Sequence, residues 1–90
     1  MELINLSKEM DKAIEVMDLE IYKVVNKVQG GYLSVEEALK QVSEENAHYV
    51  HLAGKLWNAI EKLDETEAEA FQDWLDEKID EEDLKQLIEQ

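Results

Sequence analysis

Apolar residues in the first third of the chain recur at Leu3, Leu6, Met10, Ile14, Met17, Ile21, Val24 and Val28, in steps of three and four. This is the period of a helix burying one stripe, not the period of two that marks a strand. It predicts a helix over residues 3–29. Gly30-Gly31 ends it, because glycine takes the left-handed conformation of a helix terminus without steric penalty. Ser34 then marks a new start, with Glu37 three residues on to complete a capping box and Leu33 placed to staple onto Ala38.

The second stripe runs Val35, Leu39, Val42, Asn46, Tyr49, Ala53, Leu56, Ile60 and Leu63, and predicts a helix over residues 35–63. A recapping at Ser43-Glu44-Glu45-Asn46 is the alternative, but the apolar phase continues through it without a slip, so a single helix is preferred. Each of these rods would span about 40 Å. Asp64 or Thr66 caps a third helix, residues 65–79, with Glu67 or Glu69 three residues later and with Ala68, Phe71, Leu75 and Ile79 as its inner stripe. Asp80 with Asp83 three on, and Ile79 placed to staple onto Leu84, opens a fourth, residues 81–89. The resulting fold class is all-α: an up-down bundle of two long antiparallel helices and a third rod broken near Asp80.

A second row on the 35–63 helix, Ala47, Val50, Gly54 and Trp57, calls for two neighbours. A central position between the other rods supplies them, and so does a dimer of helical hairpins. Gly54 costs a helix interior about 1 kcal/mol relative to alanine, which implies close approach of a neighbouring backbone or of the Trp57 ring. Asn46, on an otherwise apolar seam, either fixes register through a hydrogen bond or marks a local break.

Ninety residues make one domain, 1–90, and the absence of cysteine leaves apolar packing to hold it. No leader-like start and no run of about eighteen apolar residues is present, so a cytoplasmic, non-membrane protein is expected. All nine basic residues are lysine. Without arginine there is no bidentate phosphate fork, and a pI near 4.3 sets the chain against nucleic acid and anionic lipid alike. Its charge-matched partners are basic proteins.

The charge is segregated. Residues 64–90 hold twelve carboxylates against two lysines, a net of −10 out of a total of −14. Glu65, Glu69, Asp73, Asp76, Glu77 and Asp80 fall on one broad helical face opposite the apolar stripe, with Glu81 and Asp83 continuing the block. Like charges at this spacing work slightly against the helix. Over residues 64–83 the net density is about one charge per 3 Å of helix, of the same order as one per roughly 1.7 Å along duplex DNA. Such a surface can imitate a nucleic-acid backbone and occupy the basic groove of a DNA- or RNA-handling protein, with Trp74 beside the acids as an aromatic anchor or as core packing. In size and composition, and through no motif, the chain resembles the small acidic inhibitors with which phages and mobile elements block restriction and CRISPR systems. That likeness implies an anti-restriction or anti-CRISPR inhibitor. A solvated outer face that keeps a small protein soluble accounts for the same acids.

A different functional class rests on Leu19 and Tyr22, which lie off the main stripe. If they cluster with Ile4 or Trp57, they form a dimer or partner patch, and the chain is a helical adaptor, chaperone or immunity-type protein working through an apolar surface, as a homodimer if the patch is self-complementary. Glu45-x-x-His48 has the spacing of carboxylate-bridged metal sites in helical bundles, but the phase sets His48 and His51 away from the inner stripe. No metal or other cofactor is expected. The acids between Asp73 and Asp83 lack the glycine-centred spacing of an EF-hand loop, and no serine or histidine has neighbours that would make it a nucleophile, so no enzyme is expected.

Overall fold

Six helices and one short 3₁₀ turn make up the regular structure of residues 2–88, which a computed structural model describes. They are α1 (Glu2–Val16), α2 (Leu19–Gln29), α3 (Val35–Leu39), the 3₁₀ turn Glu44–Asn46, α4 (Ala47–Glu61), α5 (Glu65–Leu75) and α6 (Glu81–Ile88). No strand occurs among the described residues, so the all-α class holds.

The two long rods do not form. The helix expected over 3–29 breaks at Met17-Asp18, and Asp18 is extended (φ −68°, ψ 153°) as the N-cap of α2. The chain also reverses there. Were 2–29 one helix, Asp11 and Gln29 would lie about 27 Å apart; instead they line the same small cleft with Leu56 and Phe71. The apolar phase runs unbroken through this corner because both helices bury the same side of the sequence against α4. Periodicity therefore carried no mark of the turn. Val16 and Leu19, which flank it, are 74% and 67% exposed.

The helix expected over 35–63 is likewise three pieces, α3, the 3₁₀ turn and α4, with the recapping at Ser43–Asn46 realised as a break. Asn46 marks it: its Nδ2 donates to Ser43 Oγ at 3.0 Å, a local bond that competes with helix continuation. At Ser34 the cap forms, Glu37 N–H donating to Ser34 Oγ at 3.2 Å, while the Glu37 carboxylate turns to Lys40. The third helix stops at Leu75 rather than 79, and the fourth runs 81–88, the last expected position, Glu89, lying outside the described residues. Helices α5 and α6 pack on each other, which two segments of one straight rod cannot do. Each of the three rods is thus folded or broken, around a centre that is α4.

Helix α4 packs against α1, α2 and α3, and so uses both of its apolar rows. Val50, Ala53, Gly54 and Leu56 are buried on it, facing Leu3, Ile4, Leu6 and Met10 of α1 and Val25 and Val28 of α2; Ala70, Phe71 and Leu84 join from α5 and α6 in the same core. The close approach implied by Gly54 comes from α3: a Cβ there would lie 2.6 Å from Val35 Cγ2. The Trp57 ring instead covers Gly31. That glycine has φ +79° at the αL position after α2, where Gly31 N–H donates to the Val28 carbonyl and Tyr32 N–H to that of Lys27.

The same terminus is built at the end of α5, with an unsuitable residue. Glu77 N–H donates to the Trp74 carbonyl at 3.1 Å and Lys78 N–H to that of Asp73 at 2.8 Å, which puts Glu77 in the αL position at φ +63°. A side chain there costs about 1–2 kcal/mol. Glu77→Gly is expected to stabilise the fold by roughly 0.5–1 kcal/mol, net of the extra freedom glycine gives the unfolded chain. Calorimetric melting checks this; a lower midpoint would mean that the Glu77 carboxylate makes a favourable contact in the native state.

Candidate partner-binding surface

The acidic block begins at a closed capping box. Asp64 Oδ1 accepts from Glu67 N–H at 2.8 Å and Glu67 Oε1 from Asp64 N–H at 3.1 Å, so these two carboxylates serve the N-terminus of α5. The helix then buries Ala70 and Phe71, with Trp74 half-buried and its ring centroid 5.9 Å from that of Phe71. This inner face differs from the expected stripe: Ala68 is exposed and Leu75 is 47% exposed. Helix α5 ends at Leu75 and α6 packs back on it, burying Leu84 completely, while Ile79 in the intervening turn stays partly buried against the core.

Glu65 and Glu69 are exposed on α5, and Asp73 is half-buried beside Trp74. Asp76, Glu77 and Asp80 lie beyond the helix, in the turn of residues 76–80, so the ladder expected along one face becomes a ladder of three and a corner. Local roles occupy part of the corner: Asp76 accepts from Gln72 Nε2 at 3.2 Å, and Asp80 Oδ1 accepts from Asp83 N–H at 2.9 Å to cap α6. Asp83 is itself exposed in the first turn of α6.

Glu81 stands apart from the other acids. It pairs with Lys8 of α1 and, at 3.5 Å, with Lys85. The hydrogen bond from Lys8, reinforced by Lys85, holds its carboxyl below the ordinary glutamate range. It ties α6 to α1. Among the described residues it is the only carboxylate of 64–83 within ion-pair distance of a lysine.

The apolar alternative is dispersed. Leu19 projects from the α1–α2 corner, Tyr22 is half-buried, Trp57 lies over Gly31, and Ile4 is buried in the core. Trp57 lines a cleft with Val28, Leu33 and Val35, to which neither Leu19 nor Tyr22 contributes. His48 and His51 are exposed and share a shallow surface groove with Glu9 and Lys55, while Glu45 sits in the 3₁₀ turn; no three metal-ligating side chains converge among the described residues. None of the described helices is long and apolar enough to cross a membrane.

Sequence reasoning passed over Asp11 and placed Ile14 in the buried stripe, whereas it is 37% exposed. Both line a groove between α1 and α5 with Leu75, and it continues past Trp74 to Glu77. With α1 and α2 read as one rod and Leu75 as core, the pattern held no signal for it. No protein-family model, curated protein or solved structure matches the chain.

Proposed function

We propose that this chain is a non-enzymatic, cytoplasmic binding protein that docks through the carboxylates of α5 and the turn after it onto a basic protein that handles DNA or RNA, as an inhibitor of the phage or mobile-element kind. The observation that carries the reading is the set Glu65, Glu69, Asp73 and Glu77, placed along one helix and its terminus with no lysine partner among the described residues. Helices α1, α2 and α4 mix both signs in the ordinary way. Acids that served solubility alone would gain by the same mixing, whereas acids that await a cationic groove would lose by it. The complex needs no cofactor, and the protein itself does not bind nucleic acid.

The test is competition. Protein immobilised by its N-terminus and offered a bacterial lysate is expected to retain nucleic-acid-handling proteins, which added duplex DNA or RNA releases at constant salt. About 0.5 M salt, where the Debye length falls to roughly 4 Å from about 10 Å at 0.1 M, releases them too. Partners that resist both treatments would overturn the reading and move the site to exposed apolar residues. The second reading, an adaptor or homodimer working through Leu19, Tyr22 and Trp57, draws on the exposure of Val16 and Leu19 at the α1–α2 corner. Salt-tolerant binding that Leu19→Asp removes is its signature.

A further inference from the structure

The groove between α1 and α5 is where the acidic surface meets exposed apolar side chains. Asp11 and Leu75 line both of its halves. One half closes on Ser7, whose buried hydroxyl has no hydrogen-bond partner, and on Phe71; the other opens past Trp74 to Glu77. Leu75 and Ile14, 47% and 37% exposed, lie at its mouth. Exposed aliphatic residues are ordinary in themselves. Here the setting decides what can cover them.

Asp11 and Glu77 line the groove, Asp73 and Asp76 are adjacent in the chain to the Trp74-Leu75 pair as Lys12 is to Asp11, and no lysine is among the described residues that line either half. A second copy would bring its own net charge of −14 against this rim, and nucleic acid would bring phosphates. A cationic segment with an apolar side chain satisfies both parts of the site. Resting on the reading that the acidic surface binds a basic protein, we infer that this groove receives an aliphatic or aromatic side chain from a lysine- or arginine-rich amphipathic segment of that partner, with the neighbouring cations meeting Asp11, Asp73, Asp76 and Glu77. The acids supply attraction and orientation; Leu75, Ile14 and the Trp74 ring supply specificity for a protein segment over bare positive charge.

Two synthetic peptides test it: one of lysine and leucine at helical spacing, about four turns long, and one of equal charge with serine in place of leucine. In ¹⁵N-labelled protein the two indole N–H resonances, told apart with Trp74→Phe, report on Trp74 and on Trp57 as an internal control. The leucine peptide is expected to shift the Trp74 resonance and to bind about tenfold more tightly than the serine peptide, the size expected for one buried aliphatic side chain. Leu75→Ser, at an exposed position, should erase that advantage and leave the serine peptide's affinity unchanged. Equal binding of the two peptides, released by salt, would overturn the groove and leave the acidic surface standing. Binding of neither would overturn both. A response at Trp57, or a concentration-dependent shift of Trp74 without peptide, would assign the apolar contact to another surface or to a second copy, and would equally overturn the proposal.

Discussion

Reversing Glu69, Asp73, Asp76 and Asp80 to lysine is expected to abolish binding to a basic partner at about 0.1 M salt. Each reversal exchanges an attraction of up to about 1 kcal/mol for a repulsion of similar size, so four together weaken the complex by roughly a thousandfold or more. The structure shapes how this is done. Asp80 caps α6 through Asp83 N–H, and its loss costs about 1 kcal/mol of stability. A version with Asp80→Asn keeps an acceptor at the cap while removing the charge, and a thermal melt of each variant separates lost binding from lost fold. The informative control has the same net charge. Reversing Glu2, Glu20, Glu36 and Glu61, all exposed and outside the block, also takes the chain from −14 to −6. It is expected to change affinity only a few-fold. If both quadruple variants lost binding equally, the protein would be acting through its overall charge, and no particular face would be its site.

Gly31→Ala is expected to be among the most damaging single-methyl additions to the fold. Two costs combine. At φ +79° any Cβ is disfavoured by about 1–2 kcal/mol, and the added atom would stand 2.5–2.8 Å from three ring atoms of Trp57. The ring projects half-buried from α4 over the glycine turn and shares a cleft with Val28 and Val35, so relieving the clash requires it to shift within that packing. A total near 3 kcal/mol follows, or a fall in melting temperature of roughly 12–24 °C for a domain this small. In a Trp57→Leu background the cost of Gly31→Ala should drop to the backbone part alone, about 1–2 kcal/mol. A cost unchanged by that background would show that the ring is free to move. Gly30→Ala provides the contrast: its φ is −87°, and the nearest atoms belong to the exposed ring of Tyr32. It should cost well under 1 kcal/mol.

The legible parts of the fold share a physical character. Ser34 with Glu37, Asp64 with Glu67 and Asp80 with Asp83 cap the helices that their spacing announced, because a cap is a contact between residues three apart and needs nothing from the rest of the molecule. Gly30-Gly31 ended its helix for the same reason. The hidden parts are corners. At Met17-Asp18 the chain turns without proline or glycine and without a slip in apolar phase, since α1 and α2 both face α4. At Glu77 an αL residue ends α5 where the sequence offers no glycine to say so. Trp74 was legible as an aromatic at the edge of the core, whereas Leu75 was misread as core, because α5 ends at that residue and the helical phase does not carry on to Ile79.

By itself, the amino-acid sequence determined the all-α class, the capped starts of α3, α5 and α6, most of the apolar residues that α1 and α4 bury and the concentration of negative charge in the last third of the chain. These follow from local hydrogen bonding, from helical period and from composition, all of which act over a few residues. Only the tertiary structure decided that the long stripes fold back on themselves, that Glu81 pairs with Lys8 while Glu65, Glu69, Asp73 and Glu77 keep no lysine partner among the described residues, and that Asp11 and Ile14 come to line one groove with Leu75. Those outcomes depend on which buried surfaces meet around α4, a competition among distant side chains that leaves the period of each stripe unchanged.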